Sequence, residues 1–296
     1  MTATSQVDHA KLFARIAQEL PAELLDHLFV AGSLAAACHF AEELESRPVK
    51  TKDADLVIHP AGNVLTARQI AKRLLRKGWR PTDKCHPLPS STPVDELRAI
   101  RLHPPEHDEY FIELLNVAAP DQHAAKTWTA VQLSDGWYGL PSFEFLALTA
   151  IDRERSSAGL EYASPCMMAL ANLLSHPEVG TTRIIDTQVL RSAKDLGRAI
   201  ALAWLAGPDA VDGWAKRWQF ALMECFPDRW RQLAQRVGDG LRELLEDRGA
   251  MREAWITCDD GLLNGKGVTV EQLRLTAERL TVDVIDPLAE LARVAD

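Results

Sequence analysis

The run Phe29-Val30-Ala31-Gly32-Ser33 closes an apolar stretch on a glycine-serine step, and it is followed downstream by Asp53-Ala54-Asp55-Leu56 and then by Phe111-Ile112-Glu113-Leu114. Leu28 to Ala31 reads as a buried strand. Behind it Leu34, Ala37, Cys38, Ala41 and Leu44 recur at helical spacing with Glu42, Glu43 and Glu45 outside, so the segment reads strand, tight turn, helix. Asp53 to His59 reads as a second strand. Residues two apart in a strand share a face, so Asp53 and Asp55 present paired carboxylates about 7 Å apart along the chain, with Ala54 turned away. Glu113 lies in an otherwise apolar strand, where a carboxylate is costly to bury unless something positive meets it.

Together these pieces carry a definite chemistry. Paired carboxylates suit a hard cation, Mg²⁺ or Mn²⁺, which binds through one or two carboxylates plus substrate phosphates. Gly32 lets the backbone approach a ligand, and the amides and hydroxyl at the start of the following helix can grip phosphate groups. Glu113 would complete the metal shell or accept a proton from an attacking hydroxyl. Each piece also has a plainer reading: Asp-x-Asp is frequent in surface loops, Gly32-Ser33 is a serviceable helix start, and Glu113 can pair with Arg101. Their joint occurrence in this order favours one site.

Working outward, Asp8 can cap a first helix with Leu12, Ile16 and Leu20 on one stripe, ended by Pro21. Val64 to Lys77 is an amphipathic helix stopped by Gly78, and Trp79-Arg80 begins another strand. Pro81 to Pro93 reads as loop. Leu97 to His103 alternates as a strand should, with Asp108 to Asn116 as its antiparallel partner across Pro104-Pro105. Strand-rich sequence largely stops near residue 150. Helical periodicity follows over Met167 to Leu174, Val189 to Leu205, Val211 to Cys225, Trp230 to Leu245 and Val270 to Leu280. The change of period places a boundary between about residues 140 and 160. The expected architecture is α+β: a mixed sheet with flanking helices over 1–150, then an all-helical domain over 151–296 that closes over the site.

At 296 residues, 47% hydrophobic and 25% charged, the composition is that of an ordinary globular protein. No stretch approaches the roughly 20 apolar residues of a membrane span, and the first residues lack the pattern of a secretory signal, so the expectation is a cytoplasmic protein with no membrane partner. The five cysteines, Cys38, Cys85, Cys166, Cys225 and Cys258, are widely spaced and read as reduced thiols. A net charge of -9 disfavours a general nucleic-acid binder. The basic stretch Lys72 to Arg80 reads first as a helix terminus matched to its dipole. The histidines, His123 among them, show no ligand spacing, and the tryptophans from Trp204 to Trp230 are spaced for helix packing.

The three motifs resemble the nucleotidyltransferase superfamily, in which an apolar residue precedes Gly-Gly or Gly-Ser, an acid-x-acid follows on the next strand, and a third acid sits between apolar residues. Within it, Thr51-Lys52-Asp53-Ala54-Asp55 and the helical second half are most similar to bacterial AbiEii-like nucleotidyltransferases of the abortive-infection, toxin-antitoxin type. The resemblance covers about residues 28 to 116. It implies transfer of a nucleoside monophosphate from an NTP such as ATP to a tRNA, protein or small-molecule acceptor, with Asp53, Asp55 and Glu113 catalytic and metal-binding, and Gly32 and Ser33 on the nucleotide. The runner-up is a catalytically degenerate nucleotide-binding or interaction module of the same fold. The toxin-type subgroup further implies an antitoxin as candidate partner. Arg191 to Arg198 resembles its late Lys-Asp helix and makes Lys194 and Arg198, which share a helix face, candidates for the triphosphate; an ordinary exposed ion pair with Asp195 is the alternative. One departure stands out: nineteen residues separate Ser33 from Asp53, more than the family spacing, which implies a lengthened helix or a loop through Glu45-Ser46-Arg47-Pro48.

Overall fold

The computed structural model describes residues 6–45, 47–51, 53–117, 124–179, 182–183 and 190–294. Ser46, Lys52, His123 and Val189, which entered the readings above, lie outside them. The chain divides into two compact units, Thr2–Ala163 and Ser164–Asp296. Its class is α+β. No helix among the described residues is long and apolar enough to cross a membrane.

In chain order the first unit contains β1 (Gln6–Val7), α1 (His9–Glu19), α2 (Ala22–Leu25), β2 (Leu28–Ala31), α3 (Gly32–His39), β3 (Val49–Lys50), β4 (Asp53–Ile58), α4 (Val64–Arg76) and β5 (Arg80–Pro81). It continues with β6 (Arg101–His103), β7 (Phe111–Asn116), β8 (Lys126–Gln132), β9 (Trp137–Phe143), β10 (Glu154–Arg155) and β11 (Glu161–Tyr162). Seven strands form a mixed sheet in the order β10-β11-β2-β4-β7-β6-β5. The β11/β2 and β4/β7 pairs run parallel; the other neighbours are antiparallel. Both outermost strands, β10 and β5, are only two residues long.

The central strands earn their place by burial on both faces. Phe29, Val30, Leu56, Val57, Ile58, Ile112 and Leu114 are wholly enclosed, each worth about 1.5–3 kcal/mol against exposure. Helix α1 starts where Asp8 accepts from the Lys11 N–H and buries Leu12, Phe13 and Ile16. Helix α4 starts on Asn63, which accepts from the Thr66 N–H, and buries Ala67, Ile70, Ala71 and Leu74.

The structure corrects several boundaries. The helix expected to Leu44 ends at His39, because Phe40 leaves helical geometry and the chain turns through Glu45 at φ 53° while keeping Phe40 and Leu44 buried. The extra length before Asp53 is therefore turns plus β3, which pairs with β1. Of Leu97 to His103 only Arg101–His103 is strand; Val94–Glu96 is a 3-10 turn. Strand content also persists past residue 150, in β10 and β11, and β8/β9 form a separate two-stranded ribbon.

The second unit is helical: α5 (Pro165–Val179), α6 (Arg191–Val211), α7 (Trp214–Cys225), α8 (Trp230–Arg236), α9 (Asp239–Glu246), α10 (Arg248–Asp260), α11 (Val270–Leu280) and α12 (Asp286–Val294), with a π-turn at Thr281–Ile285. Trp214 and Trp218 are core, and Trp218 Nε1 donates to the Cys166 carbonyl at 2.9 Å. Helix α6 kinks at Gly207-Pro208, and the span expected as one helix from Trp230 to Leu245 breaks at Val237-Gly238. Glycine permits two close approaches here. A Cβ on Gly197 would stand 2.8 Å from the Ala254 carbonyl oxygen, and one on Gly240 would land on the ring of the buried His176.

Candidate functional site

Strand register draws the acids together. Ala31, the last residue of β2, pairs with Asp55; Asp55 pairs with Glu113; Glu113 pairs with Arg101. Directly opposed residues on neighbouring strands project to the same face, so Asp55, Glu113 and Arg101 form one row across β4, β7 and β6. The next row on that face holds Asp53 against Phe111. In the other direction the face becomes apolar at once, with Val57 and Leu115. The polar surface is thus confined to the end of the sheet where β4 and β7 begin.

The turn after β2 completes the arrangement. Gly32 takes φ +74° at the first position of α3, and a Cβ on it would stand 2.8 Å from Asp55 Oδ2. Only glycine admits both the dihedral and the contact. The N-cap residue of α3, Ala31, supplies no side-chain cap, and its first turn carries no acidic side chain. The start of a helix carries the positive end of its dipole and favours an anion. Ser33 is half-buried on that turn.

The three acids sit in different environments. Asp53 is exposed, and Thr51 Oγ1 donates to its Oδ1 at 3.0 Å. Asp55 is half-buried. Glu113 is only 9% exposed and accepts a forked pair from Arg101: Nε to Oε2 at 3.0 Å and Nη2 to Oε1 at 3.2 Å. Burial pushes the Glu113 carboxyl above the usual carboxylate range and the charge on Asp53 adds to this, while Arg101 and Lys126 pull the other way. The Arg101 guanidinium also lies 5.5 Å from the centre of the Phe111 ring.

These donors fit a hard cation. They are all carboxylate oxygens, and Gly32 keeps the approach to Asp55 free of a side chain. Among the described residues no three or more His, Cys, Asp or Glu side chains form a metal-holding group. A magnesium site of one or two carboxylates plus substrate phosphates needs no such group, so Asp53 and Asp55 are the residues that would hold the ion.

Two cations were missed by the motif reading. Arg101 entered only as a possible ion-pair partner, and nothing in its local sequence shows that it meets both oxygens of Glu113. Lys126, at the start of β8, has its Nζ 4.3 Å from the centre of the Trp128 ring and acts electrostatically on Glu113. The Asp135-Gly136 turn between two strand-like runs is the signal that would have revealed its hairpin.

Lys194 and Arg198 belong to the other unit, on α6, where both are half-buried. Burial raises the pKa of Asp195 between them, against the pull of Arg198, Lys194, Arg191 and His176. The basic stretch ends α4: Lys72, Arg73 and Arg76 line a shallow hollow beside Pro21 and Leu24. No family model matches the chain, and neither a curated protein nor a solved structure matches it.

Proposed function

We propose that this protein is a divalent-metal-dependent nucleotidyltransferase, its first unit a nucleotidyltransferase-type domain acting on NTPs in the cytoplasm. The observation that carries the reading is the register that sets Asp55 beside Glu113, with Asp53 on the same face and Gly32 packed on the Asp55 carboxylate. An acceptor hydroxyl or phosphate oxygen would attack the α-phosphorus. The new P–O bond forms as the α–β phosphoanhydride breaks, and pyrophosphate leaves.

Asp53 and Asp55 would hold Mg²⁺ or Mn²⁺, whose charge stabilises the transferring phosphoryl group. The first turn of α3, with Gly32 and Ser33, seats the phosphates. Glu113 orders the acid row and accepts the acceptor's proton; Lys194 and Arg198 are assigned to the triphosphate by the family resemblance. The same resemblance makes tRNA, a protein or a small molecule the acceptor and an antitoxin the regulatory partner.

A second reading has its own observation. Both Glu113 oxygens are engaged by Arg101, as expected if the fold binds nucleotide, or a partner, without turnover. Incubation with each labelled NTP, Mg²⁺ or Mn²⁺ and candidate acceptors, followed by mass spectrometry, separates the two. Transfer that is lost in Asp55→Asn supports the enzyme. Nucleotide binding without transfer to any acceptor supports the module.

A further inference from the structure

We propose that the solvent face of α4 is a docking surface for the sugar-phosphate backbone of RNA. The inference goes beyond the transferase reading and needs neither metal nor turnover, so each can fail without the other.

Charge carries it first. In a chain of net charge -9, positions 56–82 hold six Lys or Arg and no Asp or Glu. Arg68, Lys72 and Arg76 recur every four residues along one ridge of α4, with Gln69, Arg73 and Lys77 along the next. Arg80 is compensated by Asp108 at 2.8 Å, and Arg73 Nε donates to the Glu19 carbonyl at 3.2 Å. Arg68, Lys72, Arg76 and Lys77 form no ion pair among the described residues. The helix dipole accounts for cations in the last turn only, and it equally favours acids in the first turn, which has none. Like charges four residues apart repel, and a row of phosphates relieves that repulsion.

The sheet gives the row a direction. Strand β5 runs antiparallel to β6, and β6 antiparallel to β7, so β5 starts at the end where β4 and β7 start. The basic terminus of α4, which leads into β5, therefore arrives at the end of the sheet that holds Asp53 and Asp55.

The surroundings select RNA. Lys72, Arg73 and Arg76 line a hollow of about 400 Å³ together with Pro21, Leu24, Gln69 and Glu23. Glu23 forms no ion pair with them among the described residues. A carboxylate in that place repels an acidic peptide, but it accepts a hydrogen bond from a ribose 2′-hydroxyl, the group that distinguishes RNA from DNA. The apolar face of α4, with Ala67, Ile70, Ala71 and Leu74, is buried, and apart from Leu65 the helix exposes nothing large and apolar to insert into a bilayer. Trp79, the one aromatic residue of positions 56–82, is buried too, so the contact is to backbone rather than to stacked bases.

The test is fluorescence anisotropy of a labelled RNA hairpin and of a DNA hairpin of the same sequence, in EDTA without nucleotide, over a salt series, with circular dichroism as the fold control. Lys72→Gln/Arg76→Gln should bind RNA about tenfold or more weaker than the parent chain at low salt, and the slope of log affinity against log salt should shrink by about two. The parent should prefer the RNA hairpin, and Glu23→Ala should narrow that preference by strengthening DNA binding. Absence of RNA binding by the parent, or parent-like affinity in the folded double variant, overturns the proposal. Equal affinity of the parent for the two hairpins overturns the assignment to RNA. Capture of polyglutamate or of phosphatidylserine vesicles through Lys72 and Arg76, with RNA left unbound, overturns it in favour of an acidic peptide or a membrane. Should the double variant fail to fold, parent-like RNA affinity in Arg76→Gln alone overturns the proposal.

Discussion

The Asp55 carboxylate fills the space that a side chain on Gly32 would need: a Cβ there would stand 2.8 Å from Asp55 Oδ2. Gly32→Ala therefore meets two penalties, the contact and a φ of +74° that L-residues rarely adopt. We expect a loss of about 1–3 kcal/mol in stability, read by chemical denaturation, and weaker NTP binding in the fraction that folds. Parent-like nucleotide affinity would reduce the turn to a simple helix start.

Neutralising the acids should separate function from folding. In Asp53→Asn/Asp55→Asn, repulsion among three neighbouring carboxylates is relieved, so the melting temperature should hold or rise while metal-dependent NTP turnover disappears. Undiminished turnover by this double variant, measured with Mg²⁺ in excess, would remove both residues from the chemistry.

In the helical unit, Lys194→Ala should weaken NTP binding several-fold, with Arg191→Ala, an exposed position on the first turn of α6, as the control. Isothermal titration with a non-hydrolysable NTP checks this. Equal affinities for the two variants and the parent would withdraw Lys194 from the triphosphate.

Gly240→Ala addresses packing alone. The added methyl would land on the His176 ring, which is buried and held by a 2.7 Å contact between its Nδ1 and the Leu173 carbonyl. Overpacking of this kind costs about 1–3 kcal/mol, and the denaturation midpoint should fall accordingly. A midpoint unchanged from the parent would show that α5 and α9 can separate freely at that point.

The thiols should be inert in the native chain. Burial pushes Cys38 and Cys225 up to about 11 and Cys258 up to about 12, and Cys258 Sγ also donates to the Gly197 carbonyl. A raised thiol pKa means less thiolate at a given pH, so at pH 8 these three should react with a disulfide reagent about a hundredfold or more slowly than a free cysteine. Unfolding should release all five at the ordinary rate. Fast native modification of Cys258, located by peptide mapping, would contradict its burial.

Period alone made much of this fold readable. The two-residue repeat put Asp53 and Asp55 on one face, and the helical repeat set the limits of α11 where the structure has them. What escaped has physical reasons. Strands β10 and β11 are too short to show a repeat, and they are ordered by pairing with β2 rather than by their own pattern. Helix α10 buries Met251, Ala254 and Cys258, a stripe too small and too little apolar to stand out. The break between α8 and α9 falls at Gly238, which with Gly240 two residues on interrupts an otherwise continuous helical pattern. For the site, the acids were visible as residue types, but the Arg101 fork on Glu113 depends on cross-strand register, which no local stretch encodes.

The two margins of the large sheet bear on how this chain behaves in concentrated solution. A strand from a second molecule adds most readily to a long, flat edge with a ladder of open N–H and C=O groups. At one margin here the edge is Arg80-Pro81, and Pro81 has no N–H to give; at the other it is Glu154-Arg155, which would bring two charges into any growing ribbon. Strand-on-strand polymerisation through this sheet is therefore blocked at both ends, and static light scattering of the folded protein should show none of the steep, concentration-driven growth that edge-to-edge stacking produces.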